Sequence, residues 1–395
     1  MRIWAAALDK KMSKKPYLPP LLPLTVDLET KAVLKKLASA RGALAELKGV
    51  TGIVPNEGIL INTLSLQEAK DSSAIENIVT THDDLFRSDV LANQFASLAA
   101  KEVHSYARAL RDGFQVVKQT GLITNNDVLN IQSTLEANRA GFRRLPGTEL
   151  KNEQTGETVF VPPQNYDDII RLMSNLELFL NDDTISDLDP LVKMAIIHHQ
   201  VETIHPFYDG NGRTGRIINI LYLVKQGLLG TPVLYLSRYI NQNKQDYYRL
   251  LQSTRLSGTW EAWTLFMLDG IEQTSKQTIV LVHAIKDLMQ RQKNLIRKEL
   301  PRIYSQDLLN TIFGHPYSKI AFLERDLRVS RITAARYLTE LVRIGVMRKL
   351  RVGRDNYYLN EGLVGLLSNV QALWAGSEGE APAGVGSATA SPATT

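Results

Sequence analysis

Between His205 and Arg216 the chain reads His-Pro-Phe-Tyr-Asp-Gly-Asn-Gly-Arg-Thr-Gly-Arg, which puts an imidazole, a carboxylate, three glycines and two guanidinium groups into twelve residues. The turn Gly210-Asn211-Gly212 can take positive φ cheaply, so successive backbone N–H groups can converge on an anion. The apolar run Ile217 to Val224 reads as a buried helix whose free N–H groups and positive dipole end face the same anion. Arg213 and Arg216, with Thr214 and Gly215 between them, lie three apart on one helical face and can fork onto phosphate oxygens. Asp209 offers a hard oxygen suited to Mg2+ bridging substrate phosphates, and His205 is the side chain able to take a proton from an attacking hydroxyl near neutral pH. The plain alternative is an Asn-Gly turn with a core histidine and solvated arginines. Against it stands the joint register of His, Phe, Asp and both arginines.

This stretch resembles the Fic family motif, His-x-Phe-x-(Asp/Glu)-Gly-Asn-Gly-Arg-x-x-Arg, at every specified position. The resemblance implies a protein adenylyltransferase that moves AMP from ATP to a Ser, Thr or Tyr hydroxyl of a target protein or of itself. It casts His205 as base, Asp209 as magnesium ligand, Gly210 to Arg213 as cradle of the α- and β-phosphates, and Arg216 as holder of the γ-phosphate. Doc-like kinases of the family carry lysine where this chain has Gly212, so the resemblance favours nucleotidyl transfer over phosphorylation. Val201 departs from the phenylalanine common in the preceding helix, a change expected to affect packing.

Upstream, Ser72-Ser73-Ala74-Ile75-Glu76-Asn77 resembles the family's inhibitory motif, Ser/Thr-x-x-x-Glu-(Gly/Asn), and implies that Glu76 pairs with Arg216 and restrains the enzyme. Ser73 and Glu76 equally satisfy a helix capping box, which would make the match local. Arg143-Arg144 through Val161-Pro162-Pro163, containing Gln154-Thr155-Gly156-Glu157, reads as a hairpin and resembles the family's target-binding flap, where strand addition would align a hydroxyl-bearing segment. Tyr248 is a candidate for stacking near the adenine or ribose, with packing as the alternative.

The elements positioning these residues are mostly helical. Apolar residues recur at helical spacing at Val33, Leu34, Leu37, Ala40 and Leu44, and again at Phe95, Leu98, Val103, Tyr106, Leu110 and Phe114. Helices are predicted over 169–180, 190–204, 216–226, 244–256 and 259–295. After Pro301 a short helix at 319–327, a turn at Val329-Ser330, a helix at 332–344 capped by Ser330 and a hairpin around Gly353-Arg354 resemble a winged helix-turn-helix. The expected fold is mainly α: a Fic-type helical core with a β-hairpin flap, plus a C-terminal winged module. The expected divisions are 1–115 for an N-terminal helical region with the inhibitory motif, 116–300 for the catalytic core, 301–372 for the winged module and 373–395 for a disordered tail.

With 395 residues and 44% apolar content the chain can bury a large core in two or three domains. It has no cysteine, which excludes disulfides, thiol nucleophiles and zinc–thiolate sites and suits the cytoplasm. No apolar run is long enough to span a bilayer. Ile3 to Leu8 is too short for a signal-peptide core and is followed by Lys10, Lys11, Lys14 and Lys15, so no membrane partner is expected. The net charge of +5 is concentrated: Ser318 to Asn360 holds ten Lys or Arg against four Asp or Glu. Arg331 and Arg336 would lie on the recognition helix and Arg348, Lys349, Arg351 and Arg354 beside the wing, where DNA contacts are made, unless the module docks on protein instead.

Three other readings compete. One is a DNA-binding regulator whose core senses nucleotide, and another is removal of AMP from a modified protein with Glu76 orienting water. A zinc hydrolase built on His198, His199 and His205 is weak, because adjacent helical histidines diverge and no His-Glu-x-x-His spacing occurs. A homodimer is compatible with the sequence.

Overall fold

The computed structural model describes residues 15–82, 84–85, 97–152, 155–352, 355–370 and 373–374. Phe95, Gln154, the hairpin tip Gly353-Arg354, the tail from Ala375, and the N-terminal Ile3 to Leu8 with Lys10, Lys11 and Lys14 lie outside these residues.

In chain order the first helices are α1 (Lys31–Thr51), α2 (Glu57–Ile75), α3 (Leu98–Thr120) and α4 (Asn125–Glu136). Strands β1 (Leu150–Lys151) and β2 (Thr158–Phe160) form an antiparallel hairpin. There follow α5 (Tyr166–Asn181), α6 (Pro190–Ile204), α7 (Asn211–Lys225), α8 (Leu236–Gln242), α9 (Lys244–Ser257) and the 40-residue α10 (Trp260–Glu299).

Helix α6 is the axis of the core. Asp189 caps it by accepting from the Leu191 N–H at 2.8 Å, Pro190 fits its first turn, and every residue from Leu191 to Ile204 is buried. A helix buried on all sides shows no amphipathic period, and here neighbours cover every face. Helix α7 packs on α6, α3 on α7, and α4 on α3, where Thr124 and Asp127 make a reciprocal capping box. Helix α10 runs along α1 and α8 packs on α2.

Two positions of the expected apolar stripes face solvent: Leu34 is 48% and Leu98 71% exposed, while Val33, Leu37, Leu44, Val103 and Tyr106 are buried. Helix α7 begins at Asn211, five residues before the expected start, because Gly210 caps it in the left-handed region and the Thr214 N–H already reaches the Gly210 carbonyl at 2.9 Å. No helix among the described residues is long and apolar enough to cross a membrane.

Beyond α10 come α11 (Gln306–Gly314), β3 (Tyr317–Ser318), α12 (Ile320–Leu327), α13 (Arg331–Arg343), β4 (Arg348–Val352), β5 (Asp355–Leu359) and α14 (Glu361–Ser368). The sheet is antiparallel with order β3-β5-β4, pairing Tyr317 and Arg348 with Leu359. Ser330 caps α13 by accepting from the Thr333 N–H at 3.2 Å. Helix α11 rests on α2 and α14 on α10, where Gln292 donates to the buried Asn360 at 3.0 Å.

Candidate active site

The site is the bend between α6 and α7. His205 closes α6 in the left-handed region at φ 50° and ψ 59°, a conformation that costs a side-chain-bearing residue roughly 1–2 kcal/mol. Asn211 then locks the bend, its side-chain oxygen accepting from the Phe207 N–H at 2.8 Å and its amide donating to the Phe207 carbonyl at 2.9 Å. Its side chain is therefore occupied by the loop, and its contribution to an anion is the backbone N–H. Only Gly210 takes positive φ, at 76°; Gly212 is helical, contrary to the expectation for the turn as a whole. What Gly212 provides is space: a Cβ there would lie 2.6 Å from a Glu76 carboxylate oxygen and 2.8 Å from Arg216 Nη1. The first-turn N–H groups of Asn211, Gly212 and Arg213 have no acceptor within the helix and remain to meet an anion. Gly215 faces α6, where a Cβ would come within 3.3 Å of Val201 and 3.5 Å of His198, and the buried Thr214 hydroxyl finds no partner among the described residues.

A pocket of about 320 Å³ opens here, lined by His205, Asp209, Gly210, Asn211, Gly212 and Arg216 with Glu76, Glu202, Tyr208, Tyr247, Tyr248 and Leu150 of the hairpin. Tyr248 is 48% exposed at the rim, edge-on to the buried Tyr247 at 5.1 Å. The Asp209 side chain is 76% exposed and stands 3.9 Å from Arg213. One accessible carboxylate fits a magnesium ion held mainly by substrate phosphates and water, and no group of three metal-binding side chains occurs among the described residues.

Both arginines are engaged by one carboxylate. Glu76 Oε1 accepts from Arg216 Nη2 at 2.8 Å, and its Oε2 accepts from Arg213 Nε at 2.8 Å. Arg216 also donates to the Ser72 hydroxyl at 2.7 Å and the Ser72 carbonyl at 3.0 Å. Burial disfavours its charge, but Glu76, Tyr247 and Glu202 hold its pKa above the ordinary arginine value. Arg213 further donates to Glu102 at 3.1 Å and Glu136 at 2.8 Å. The capping-box reading of Ser73 and Glu76 is overturned. Both lie at the C-terminal end of α2, where Glu76 is the cap residue and Asn77 turns left-handed at φ 62°. The Ile78 N–H closes back on the Ser73 carbonyl at 3.0 Å, so a Glu-Asn pair here ends a helix and aims the carboxylate into the pocket.

Burial, with Arg255 and Arg143 close by, pushes the His205 pKa down to about 3, so the imidazole is neutral at physiological pH. His198 meets the Tyr247 hydroxyl at 2.9 Å and His199 the Leu251 carbonyl at 3.3 Å, so both histidines of α6 are spent on core contacts. Sequence reasoning missed Glu102, Glu136 and Arg255, because no local spacing links them to the motif, and passed over Glu202 and Tyr247 although they lie beside His205 and Tyr248 in the chain.

Three family models match in chain order: Fic/DOC family N-terminal over 34–115, Fic/DOC family over 122–223, and the C-terminal domain of SoFic-like protein adenylyltransferases over 288–363. The chain belongs to the Fic family. Among curated Fic relatives, protein adenylyltransferase Fic of Drosophila erecta is 31% identical over 155 residues, which cover 39% of this chain and 29% of that protein. The Aedes aegypti protein of the same name is 29% identical over 156 residues, covering 39% and 30%. The chain thus spans about three tenths of the length of these relatives. A crystal structure of a Fic family protein from Desulfovibrio desulfuricans G20 superposes with TM-score 0.53 at 21% identity, covering 85% of this chain and 97% of that one, which supports the mainly helical Fic fold.

Proposed function

We propose that this chain is a protein adenylyltransferase held in check by Glu76. In this reading ATP lays its phosphates over the first turn of α7. A protein hydroxyl attacks the α-phosphorus, the bond from that phosphorus to the bridging oxygen breaks, pyrophosphate leaves, and His205 takes the hydroxyl proton. Positioning does most of the work, since an in-line displacement between fixed groups needs little else. A magnesium ion at Asp209 would neutralise phosphate charge. A base with so low a pKa is weak alone, but polyphosphate charge beside it would raise its proton affinity as substrate binds. Tyr248 at the rim would flank the base or ribose, and the hairpin would pair with the target's backbone.

The observation that carries this reading is Glu76 spanning Arg213 and Arg216: a carboxylate stands where phosphate oxygens would be bound. Incubation with labelled ATP is expected to mark the protein or a partner, more strongly in Glu76→Gly and not at all in His205→Ala. Undiminished labelling in the histidine variant would remove His205 from its role. The presence of Glu76 in the same pocket also suits hydrolysis of AMP from a modified protein. In that case Glu76→Gly would lose release of AMP from an adenylylated substrate rather than gain labelling. The basic C-terminal face, with Arg331, Arg336, Lys349 and Arg351 exposed, supports a second binding role toward DNA.

A further inference from the structure

The bend that presents His205 is held from behind by two cations from separate parts of the chain, Arg143 buried and Arg255 half-buried. Helix α6 leaves its last carbonyls without helical partners, and His205 turns away at positive φ immediately after them. Arg255 of α9 donates to the Glu202 carbonyl at 3.1 Å and to the Thr203 hydroxyl at 3.0 Å. Arg143, ahead of the hairpin and fully buried, donates to the His205 carbonyl at 2.8 Å, to the Ile204 carbonyl at 3.4 Å and to Pro163 at the hairpin's far end. Its own N–H donates to the Pro206 carbonyl at 2.8 Å. Two fixed positive charges at a helix C-terminus complement its negative dipole end.

We infer that Arg143 and Arg255 are the positioning residues of His205: they clamp the end of α6 in the turn that aims the imidazole into the pocket and surround it with positive charge. This rests on the reading of His205 as the base. The clamp also ties the catalytic bend to the hairpin, since Arg143 bridges to Pro163 and Arg255 lies over the Phe160 ring at 4.0 Å. Other charged or titratable groups around the same pocket are Glu76, Glu202, Tyr208, Asp209, Arg216, Tyr247 and Tyr248. The backbone turn sets the direction of the imidazole, and the Glu202 backbone hydrogen-bonds it at the end of α6.

The test uses the full chain with isotope-labelled histidine, the His205 signal being assigned by its loss in His205→Gln. His205 is expected to titrate well below the ordinary histidine range, and Arg255→Gln and Arg143→Gln are each expected to raise it by about one pH unit or more. In the Glu76→Gly background the acidic limb of the labelling profile should move up with it. Arg255→Lys keeps the charge but loses the fork, so it should leave the titration low while lowering kcat about tenfold with little change in KM. An unmoved titration in both glutamine variants overturns the proposal. If those variants do not fold, unchanged kcat in both Arg255→Lys and Arg143→Lys overturns it. The titration needs no nucleotide, so it stands apart from any failure of the transferase reading, which would show as absent labelling in the parent.

Discussion

Glu76 pairs with two arginines at once, but it does not hold them equally. Arg216 reaches Glu76 and the Ser72 hydroxyl and carbonyl, so removing the carboxylate leaves it with neutral partners. Arg213 keeps Glu102 from α3 and Glu136 from α4 whatever happens at Glu76. A polyphosphate arriving in Glu76→Gly must still compete with two carboxylates for Arg213. Each such charge-assisted contact, partly solvated here, is worth roughly 1 kcal/mol, or about fivefold in affinity. Adding Glu102→Gln to Glu76→Gly is therefore expected to tighten ATP binding about fivefold beyond the single variant in calorimetry with magnesium. Glu102→Gln alone should do little, because Glu76 still covers both guanidinium groups. Equal dissociation constants for the single and double variants would show that Glu102 does not compete.

Helix α2 carries Glu76 at its end and a second carboxylate, Glu68, two turns earlier in the core. Glu68 is buried and accepts from the Ser237 hydroxyl, from the Ser237 N–H at 3.2 Å and from the Tyr106 hydroxyl at 3.2 Å. Burial, helped by the neighbouring Asp71, pushes its pKa up to about 7. Because the folded value exceeds the ordinary 4.5, this contribution is fully present below 4.5 and is lost as pH rises through 7. The loss across that window is on the order of 3 kcal/mol. Urea unfolding of the wild type relative to Glu68→Gln should thus favour the wild type at pH 5 and shift toward the variant by pH 8. A pH-independent difference would mean that Glu68 is charged in the fold throughout. The sequence made some elements easy to read. Helix α6 was bounded by Asp189-Pro190 and by the motif, and α13 by its Ser330 cap, so their expected ends lie within a residue of the observed ones. Helix α2 had no separate boundaries in the sequence because it is buried around nearly its whole circumference, from Ile59 to Ser73, and shows no period. Helix α8 starts only at Leu236, after Pro232-Val233-Leu234-Tyr235, whose residue types favour extended chain and give no helix start signal. The motif residues were legible because they are contiguous; the grip of Glu102 and Glu136 on Arg213 was not, because three helices must first come together.

Across the whole molecule the charge is lopsided, and the architecture says which way the basic part faces. The C-terminal module turns α11 toward α2 and α14 toward α10, which leaves α13 and β4 outward. Ile332 on α13 is 83% exposed, and Arg331, Arg336, Lys349 and Arg351 are exposed beside it. Some of this charge is answered locally: Arg331 lies 3.7 Å from Glu324, Arg343 2.9 Å from Glu340 and Arg348 2.7 Å from Glu361. Arg336 and Lys349 pair with no carboxylate among the described residues, and Arg336 lies over Tyr337 at 5.8 Å. Two uncompensated cations on a helix and an adjoining strand suit phosphates along one groove of a duplex. Counterion release then makes binding fall with salt, with a slope of about 0.9 per phosphate neutralised. Arg336→Glu and Lys349→Glu are each expected to weaken duplex binding across all sequences and to reduce the salt slope by about one, while leaving ATP-dependent labelling intact. If the salt slope is unchanged in both variants, the outward face does not contact nucleic acid, and its exposed Ile332 and cations are better matched to an acidic protein surface.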